Sequence, residues 1–191
     1  LSLPGMAQEV VSTNLVAAVS KDLLSIIFGA NASQLQYGID VYRMTYTTTS
    51  VKGLPDTASG LFIMPQAGST AVPLLVYQHG TVDSRTDVPS NLKGGWEAGA
   101  AFAAFGFATV VPDYLGLGTS KGYHPYIHAA SESSAAVDMM YAARSFIAQS
   151  GFAVNDKLFV TGYSQGGHAS MALHRDLEAK YSNDFPVTAA A

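Results

Sequence analysis

Apolar residues along the chain fall into two kinds of run. Short unbroken ones, such as Leu74-Leu75-Val76-Tyr77 and Phe107 to Val111, suit strands covered on both faces, which need no polar side. Longer stretches with apolar positions three and four apart suit helices that bury one stripe. From Met6 to Phe28, the residues Val10, Leu15, Val19, Leu23, Ile26 and Ile27 recur at near-helical spacing and Gly29 closes the run. This predicts a helix inside an N-terminal helical segment, 1–35. Gln36 to Thr49 is rich in β-formers, and Gly53-Leu54-Pro55-Asp56 gives turn chemistry before Ala58 to Met64, so two strands joined by a loop are predicted. Further on the pattern alternates. It runs from the strand ending at Gln78 to a helix over Trp96 to Phe105, the strand Phe107 to Val111 and a helix from about Ser131 to Gln149. The strand Lys157 to Thr161, a helix from about Gly166 to Tyr181 and the start of another strand in Pro186 to Ala191 follow. Strands alternating with helices predict an α/β fold with a mostly parallel sheet flanked by helices. No repeat or second domain is visible, so residues 36–191 are read as sheet and flanking helices of one unit.

Composition narrows the function classes. Of 191 residues, 48% are hydrophobic and 13% charged, the balance of a folded chain rather than a disordered one. The net charge of −4 and the scattered Lys and Arg residues give no basic track, so nucleic acid is not a partner on this reading. The longest apolar stretches fall short of the ~20 residues that a membrane span needs, so no stable membrane insertion is expected. The absence of Cys removes disulfides and thiolate metal sites. The chain starts at Leu1 without a basic segment leading an apolar one. That start suits a processed terminus as well as a trimmed one; a secreted or periplasmic location is the expectation, with a cytoplasmic one the alternative.

Candidate chemistry concentrates in Leu158-Phe159-Val160-Thr161-Gly162-Tyr163-Ser164-Gln165-Gly166-Gly167-His168. An apolar strand runs into G-x-S-x-G and then into a helix. In that context the serine sits on a strained turn, its oxygen projecting above the sheet edge as a nucleophile. Gly162 and Gly166 fit because side chains there would clash where strand and helix pass closely. The helix start behind Ser164 offers free amides and a positive dipole end where negative charge develops in acyl transfer. A tetrahedral oxyanion needs two preplaced donors. Gln165 N–H supplies one, and Thr81 N–H, in His79-Gly80-Thr81 after the strand Pro73 to Gln78, is the candidate for the second. Tyr163 completes the turn.

Four motifs in order, Gln78-His79-Gly80-Thr81, Pro112-Asp113-Tyr114-Leu115-Gly116-Leu117-Gly118, His124-Pro125-Tyr126 and Gly162-Tyr163-Ser164-Gln165-Gly166-Gly167, resemble the α/β-hydrolase branch of secretory lipases and related bacterial esterases. The resemblance runs from about Gln36 to Ala191. It implies the α/β-hydrolase fold, a Ser-Asp/Glu-His triad, no metal or other cofactor, and small-molecule or lipid esters as substrates, often beneath a cap. In such enzymes the acid and the His follow the nucleophile on later loops, and the residues after Ser164 are mostly its own helix. The 191 residues are therefore expected to be the N-terminal portion of one catalytic domain, with cap, acid and His in the remainder of that domain, as a second chain or a further segment. Esters are the expected substrates; a peptidase of the same fold and a non-catalytic binding protein are the alternatives.

Other residues are assigned bland roles. His168, one helical turn after Ser164, is read as packing the helix rather than as a local base, with His174 and Asp176 more remote. Asp113 is read as holding a structural loop, and Asp138 as a capping or packing group. His124, His128 and Asp113 lack metal-ligand spacing. Gly116-Leu117-Gly118 lacks the third glycine and helix of a dinucleotide site. Trp96, Phe102 and Phe105 are read as core, with Trp96 also a candidate for an acyl pocket.

Overall fold

The computed structural model describes residues 9–191. Strands form where β-branched and aromatic residues alternate, at β1 (Val10–Val19), β2 (Ile39–Thr49) and β3 (Pro55–Pro65). They also form at the short apolar runs, β4 (Val72–Gln78), β5 (Ala108–Pro112), β6 (Val154–Gly162) and β7 (Ala189–Ala190). Helices α1 (Lys21–Phe28), α2 (Trp96–Ala104), α3 (Ala129–Ser150) and α4 (Gln165–Lys180) fill the intervals. One sheet runs in the order β1-β2-β3-β5-β4-β6-β7. Its first four members pair antiparallel, while β5, β4, β6 and β7 pair parallel. This is an α/β fold with a sheet flanked by helices, as the alternation of runs predicts. Among the described residues no helix is long and apolar enough to cross a membrane.

The N-terminal expectation needs correction. Met6 lies outside the described residues, but residues 10–19 form strand β1; Lys21–Phe28 is α-helical, and Gly29–Gln34 follows it as a 3-10 helix. Strand β1 pairs with β2 from Val10↔Tyr46 to Val19↔Ile39, with register shifts between Val10 and Ser12 and between Leu15 and Ala17. Each bulge inserts a residue and breaks the alternation of two, and the broken alternation left Val10, Leu15 and Val19 at near-helical intervals. Pairing with β2 overrides that local signal. The helix proper begins where Ser20 Oγ accepts the Leu23 N–H at 3.3 Å, a regular N-cap, and ends at Gly29, as expected, with φ 55.

The sheet is covered on both faces, so its central strands are apolar on both sides. Along β3, Leu61 and Ile63 face a cluster with Ala100, Ala103 and Ala104 of α2, whereas Phe62 and Met64 face one with Met139 and Met140 of α3 and Leu173 and Leu177 of α4. Phe62 is fully buried among Tyr42, Phe146 and Phe152, with ring centroids 5.9–6.4 Å away. Trp96, Phe102 and Phe105 pack on the α2 side as core residues.

Buried polar groups fix the loops at the carboxyl end of the parallel strands. Asp113 is fully buried; Ser59 Oγ donates to its Oδ2 at 2.6 Å and Ser90 N–H to its Oδ1 at 3.0 Å. It is the structural anchor expected, and burial raises its carboxyl above the usual range despite these donors. Gly118 fits because a methyl there would strike Ser59 Oγ and Asp113 Oδ2. His79 is fully buried against the Tyr114 ring at 4.3 Å, with Nδ1 2.7 Å from Gly80 O and Nε2 3.3 Å from Asp113 O. Tyr114 Oη in turn donates to His79 O at 2.8 Å. Burial lowers the His79 pKa below 6.5, against the pull of these carbonyls and of Asp113.

Two outcomes follow from this packing. Phe62→Ala in the natural protein is expected to cost about 3–5 kcal/mol in urea unfolding; a loss under about 1 kcal/mol would contradict its place in the core. Because His79 holds fewer protons folded than unfolded, stability is expected to fall as pH drops below 6.5, by up to ~1.4 kcal/mol per pH unit until the folded-state pKa is passed. Melting curves of wild type and His79→Gln across that range should show the slope flattening in the variant, and an unchanged slope would exclude His79 as its source.

Candidate active site around Ser164

Strand β6 ends at Gly162 and α4 begins at Gln165, leaving Tyr163 and Ser164 as the corner. Ser164 has φ 57 and ψ −119, a region that side chains enter only when their surroundings over-determine them. Those surroundings are close backbone contacts. A methyl on Gly166 would fall on Gln78 O and lie 2.9 Å from His79 O; one on Gly162 would strike Gly166 O and lie 2.6 Å from Ser170 Oγ. Both glycines are thus needed for the reason the sequence indicates: β4, β6 and α4 meet with no room for a side chain. Tyr163 N–H donates to Gln78 O at 3.3 Å, tying the corner to the end of β4.

The corner presents Ser164 outward. Ser164 and Tyr163 are exposed at the head of α4, with Gln165 and Gly166 buried behind them. The loop after β4 lies alongside, because a methyl built on Gly80 would stand 3.6 Å from Ser164 Cβ and 3.3 Å from Tyr163 O. Gln78 pairs with Gly162 across the parallel ladder, so the two loops leave the sheet at the same level. At β4 the strand order reverses, since β5 flanks it on one side and β6 on the other. Open α/β sheets bind ligands outside the carboxyl ends of such strands.

Backbone amides crowd the start of α4. Gly166 N–H donates to Tyr163 O at 2.8 Å and Gly167 N–H to Ser164 O at 2.9 Å. Gln165 N–H, the first amide of α4, is one of the four that a helix leaves without an intrahelical acceptor. Thr81 is exposed, and its Oγ1 lies 2.9 Å from Tyr126 Oη, which ties the loop after β4 to the His124-Pro125-Tyr126 segment. The predicted set His79, Gly80, Thr81, Gly162, Tyr163, Ser164, Gln165 and Gly166 therefore comes together at one edge of the sheet.

Histidines near the corner are otherwise engaged. His168 Nδ1 donates to Glu132 Oε2 at 2.7 Å, so it packs α4 on α3 as expected. His124 Nδ1 donates to Leu115 O at 2.8 Å. Among the described residues, no imidazole or carboxylate is hydrogen-bonded to Ser164 Oγ, and no group of His, Asp and Glu could hold a metal ion. A cavity of about 620 Å³ lies elsewhere, between the β2–β3 connection and α3 and α4, lined by residues such as Thr48, Ser131 and Asp138. Sequence reasoning passed over Glu132, a buried carboxylate on α3 that bonds both Gln165 and His168. Its position in a run of Ala and Ser carries no signal, since its partners lie 33 and 36 residues further on.

Known proteins place this geometry. The family model of the prolyl oligopeptidase family matches residues 96–182, and no curated protein matches the chain. Among solved structures, the rice cell wall degrading esterase LipA from Xanthomonas oryzae is 34% identical, with a TM-score of 0.87, over 95% of this chain and 49% of its own. A protein of Legionella pneumophila assigned to the hydrolases is 33% identical with a TM-score of 0.87, over 95% of this chain and 51% of its own. The chain thus spans about half the length of these two structures. Candida antarctica lipase A in its closed state, at 18% identity and a TM-score of 0.62, shares the fold. Given the strand order, the glycine-held serine corner and these likenesses, the chain has the α/β-hydrolase fold and is similar to an esterase and a hydrolase that share it.

Proposed function

We propose that the natural protein is a serine hydrolase that cleaves carboxylic esters of small molecules or lipids through an acyl-enzyme on Ser164. The observation that carries this reading is the exposed serine at φ 57, beside the Gly80 loop and ahead of the first amides of α4. Ser164 Oγ attacks the ester carbonyl as its proton passes to a general base, and the carbonyl oxygen becomes an oxyanion. Gln165 N–H and Thr81 N–H donate to that oxyanion, with the α4 dipole adding to them. Collapse expels the alcohol, which takes the proton, and water then releases the acid by the same steps. The base is a histidine steered by a carboxylate, both supplied by a part of the natural protein outside these 191 residues. Two observations support that: the histidines near the corner are bonded elsewhere, and the similar solved structures are about twice as long.

Ester cleavage is favoured over peptide cleavage because the likeness to an esterase covers 95% of the chain. The prolyl oligopeptidase match is confined to residues 96–182, a stretch dominated by the serine corner and helices common to both chemistries. That match nonetheless makes peptidase activity the reading to test against.

Ser164→Ala in the natural protein is expected to abolish both fluorophosphonate labelling and hydrolysis of p-nitrophenyl esters, and labelling that survives the substitution would remove Ser164 from the mechanism. The wild type should turn over p-nitrophenyl acetate at least tenfold better, in kcat/KM, than aminoacyl p-nitroanilides; the reverse preference would make it a peptidase. A wild type that hydrolyses neither and takes no label would be a binding protein on this fold.

A further inference from the structure

We infer that Glu132 is a positioning residue for the reaction at Ser164: through Gln165 and His168 its carboxylate fixes the first turn of α4, and with it the amide that meets the oxyanion. The inference rests on the esterase reading above. Glu132 is 1% exposed, and a carboxylate is rarely buried so completely without specific partners. Among the described residues no Lys or Arg pairs with it; the ring facing it is that of His168. Each oxygen instead takes one donor from α4. Gln165 Nε2 donates to Oε1 at 2.9 Å and His168 Nδ1 to Oε2 at 2.7 Å. Residues three apart lie on one helix face, so one planar group grips that face at two points.

The grip determines how Gln165 sits. Its Nε2 is also 2.8 Å from His124 Nε2. Because His124 Nδ1 donates to Leu115 O, His124 Nε2 offers a lone pair, and the two amide hydrogens of Gln165 satisfy His124 and Glu132 together. Turning the amide over would set its oxygen against the carboxylate, so Glu132 selects a single orientation for a side chain that is 2% exposed. Gln165 is the residue next to the strained Ser164. The glycine contacts hold this corner from the β4 and β6 side, and Glu132 holds it from α3. A displacement of about 1 Å in a reacting group or its donors can cost 10²-fold in rate, so the placement falls on kcat rather than on substrate binding.

The test uses the natural protein, p-nitrophenyl acetate, and three variants: Glu132→Ala, Gln165→Ala and Glu132→Gln. The two alanine variants are expected to lower kcat by about 10- to 100-fold with KM within about twofold. Glu132→Gln should recover kcat to within about fivefold of wild type. Its carbonyl can accept from Gln165, and its amide can donate to His168 Nδ1 once that ring takes the other tautomer. If Glu132→Ala does not fold by circular dichroism, Gln165→Ala and Glu132→Gln still decide. Unchanged kcat in Gln165→Ala, a rise confined to KM, or Glu132→Gln as impaired as the alanine variants would each overturn the inference. A wild type that takes no fluorophosphonate label would instead sink the serine hydrolase reading on which it stands.

Discussion

The approach of three backbones, at the ends of β4 and β6 and the start of α4, is the constraint from which the rest of the site follows. Gly162 and Gly166 leave so little space that the first turn of α4 rests directly on Gln78 O and His79 O. Given that contact, Ser164 has no relaxed conformation open to it, and the chain turns through φ 57 to connect strand to helix. The strain is local and of order 1–3 kcal/mol. It is offset by the burial of Leu173 and Leu177 of α4 against the sheet, which anchors the helix whatever its first residue must do.

Around this contact polar groups are buried only where they fix a loop. Asp113 holds the turn after β5 through Ser59 and Ser90. His79 lies beneath the loop after β4, between the Tyr114 ring and two carbonyls, and burial holds its pKa down. Glu132 joins α3 to α4. None of the three touches Ser164 Oγ, yet each fixes a segment bordering it. Exposed groups at the rim, such as Thr81 and Tyr126, are tied to one another instead.

What the chain discloses before folding follows the range of the interactions. The serine corner is legible because its demands are local: a strand, two glycines at fixed offsets and a helix lie within a dozen residues, and the geometry narrows the residue types to those seen. The central strands are legible because burial on both faces leaves nothing polar in them, as in Leu74 to Tyr77. The status of Asp113 is legible from its turn context. Glu132 was not, because what distinguishes it from a surface glutamate is the arrival of Gln165 and His168 from another helix, a matter of tertiary packing. Residues 10–19 misled for the opposite reason: two bulges erased the period of two, and the partner strand that settles their conformation begins only at Ile39.

Those bulges have a further effect. Strand β1 ends the sheet among the described residues, leaving one side of its backbone without a neighbouring strand, while Val11 and Leu15 stand more than half exposed. A flat strand of that composition would template the addition of another chain. With two irregularities within its ten residues, β1 twists out of the regular spacing that a stacking partner would have to match. The feature that hides this strand from a periodicity argument is also one that guards the molecule against growing by its edge.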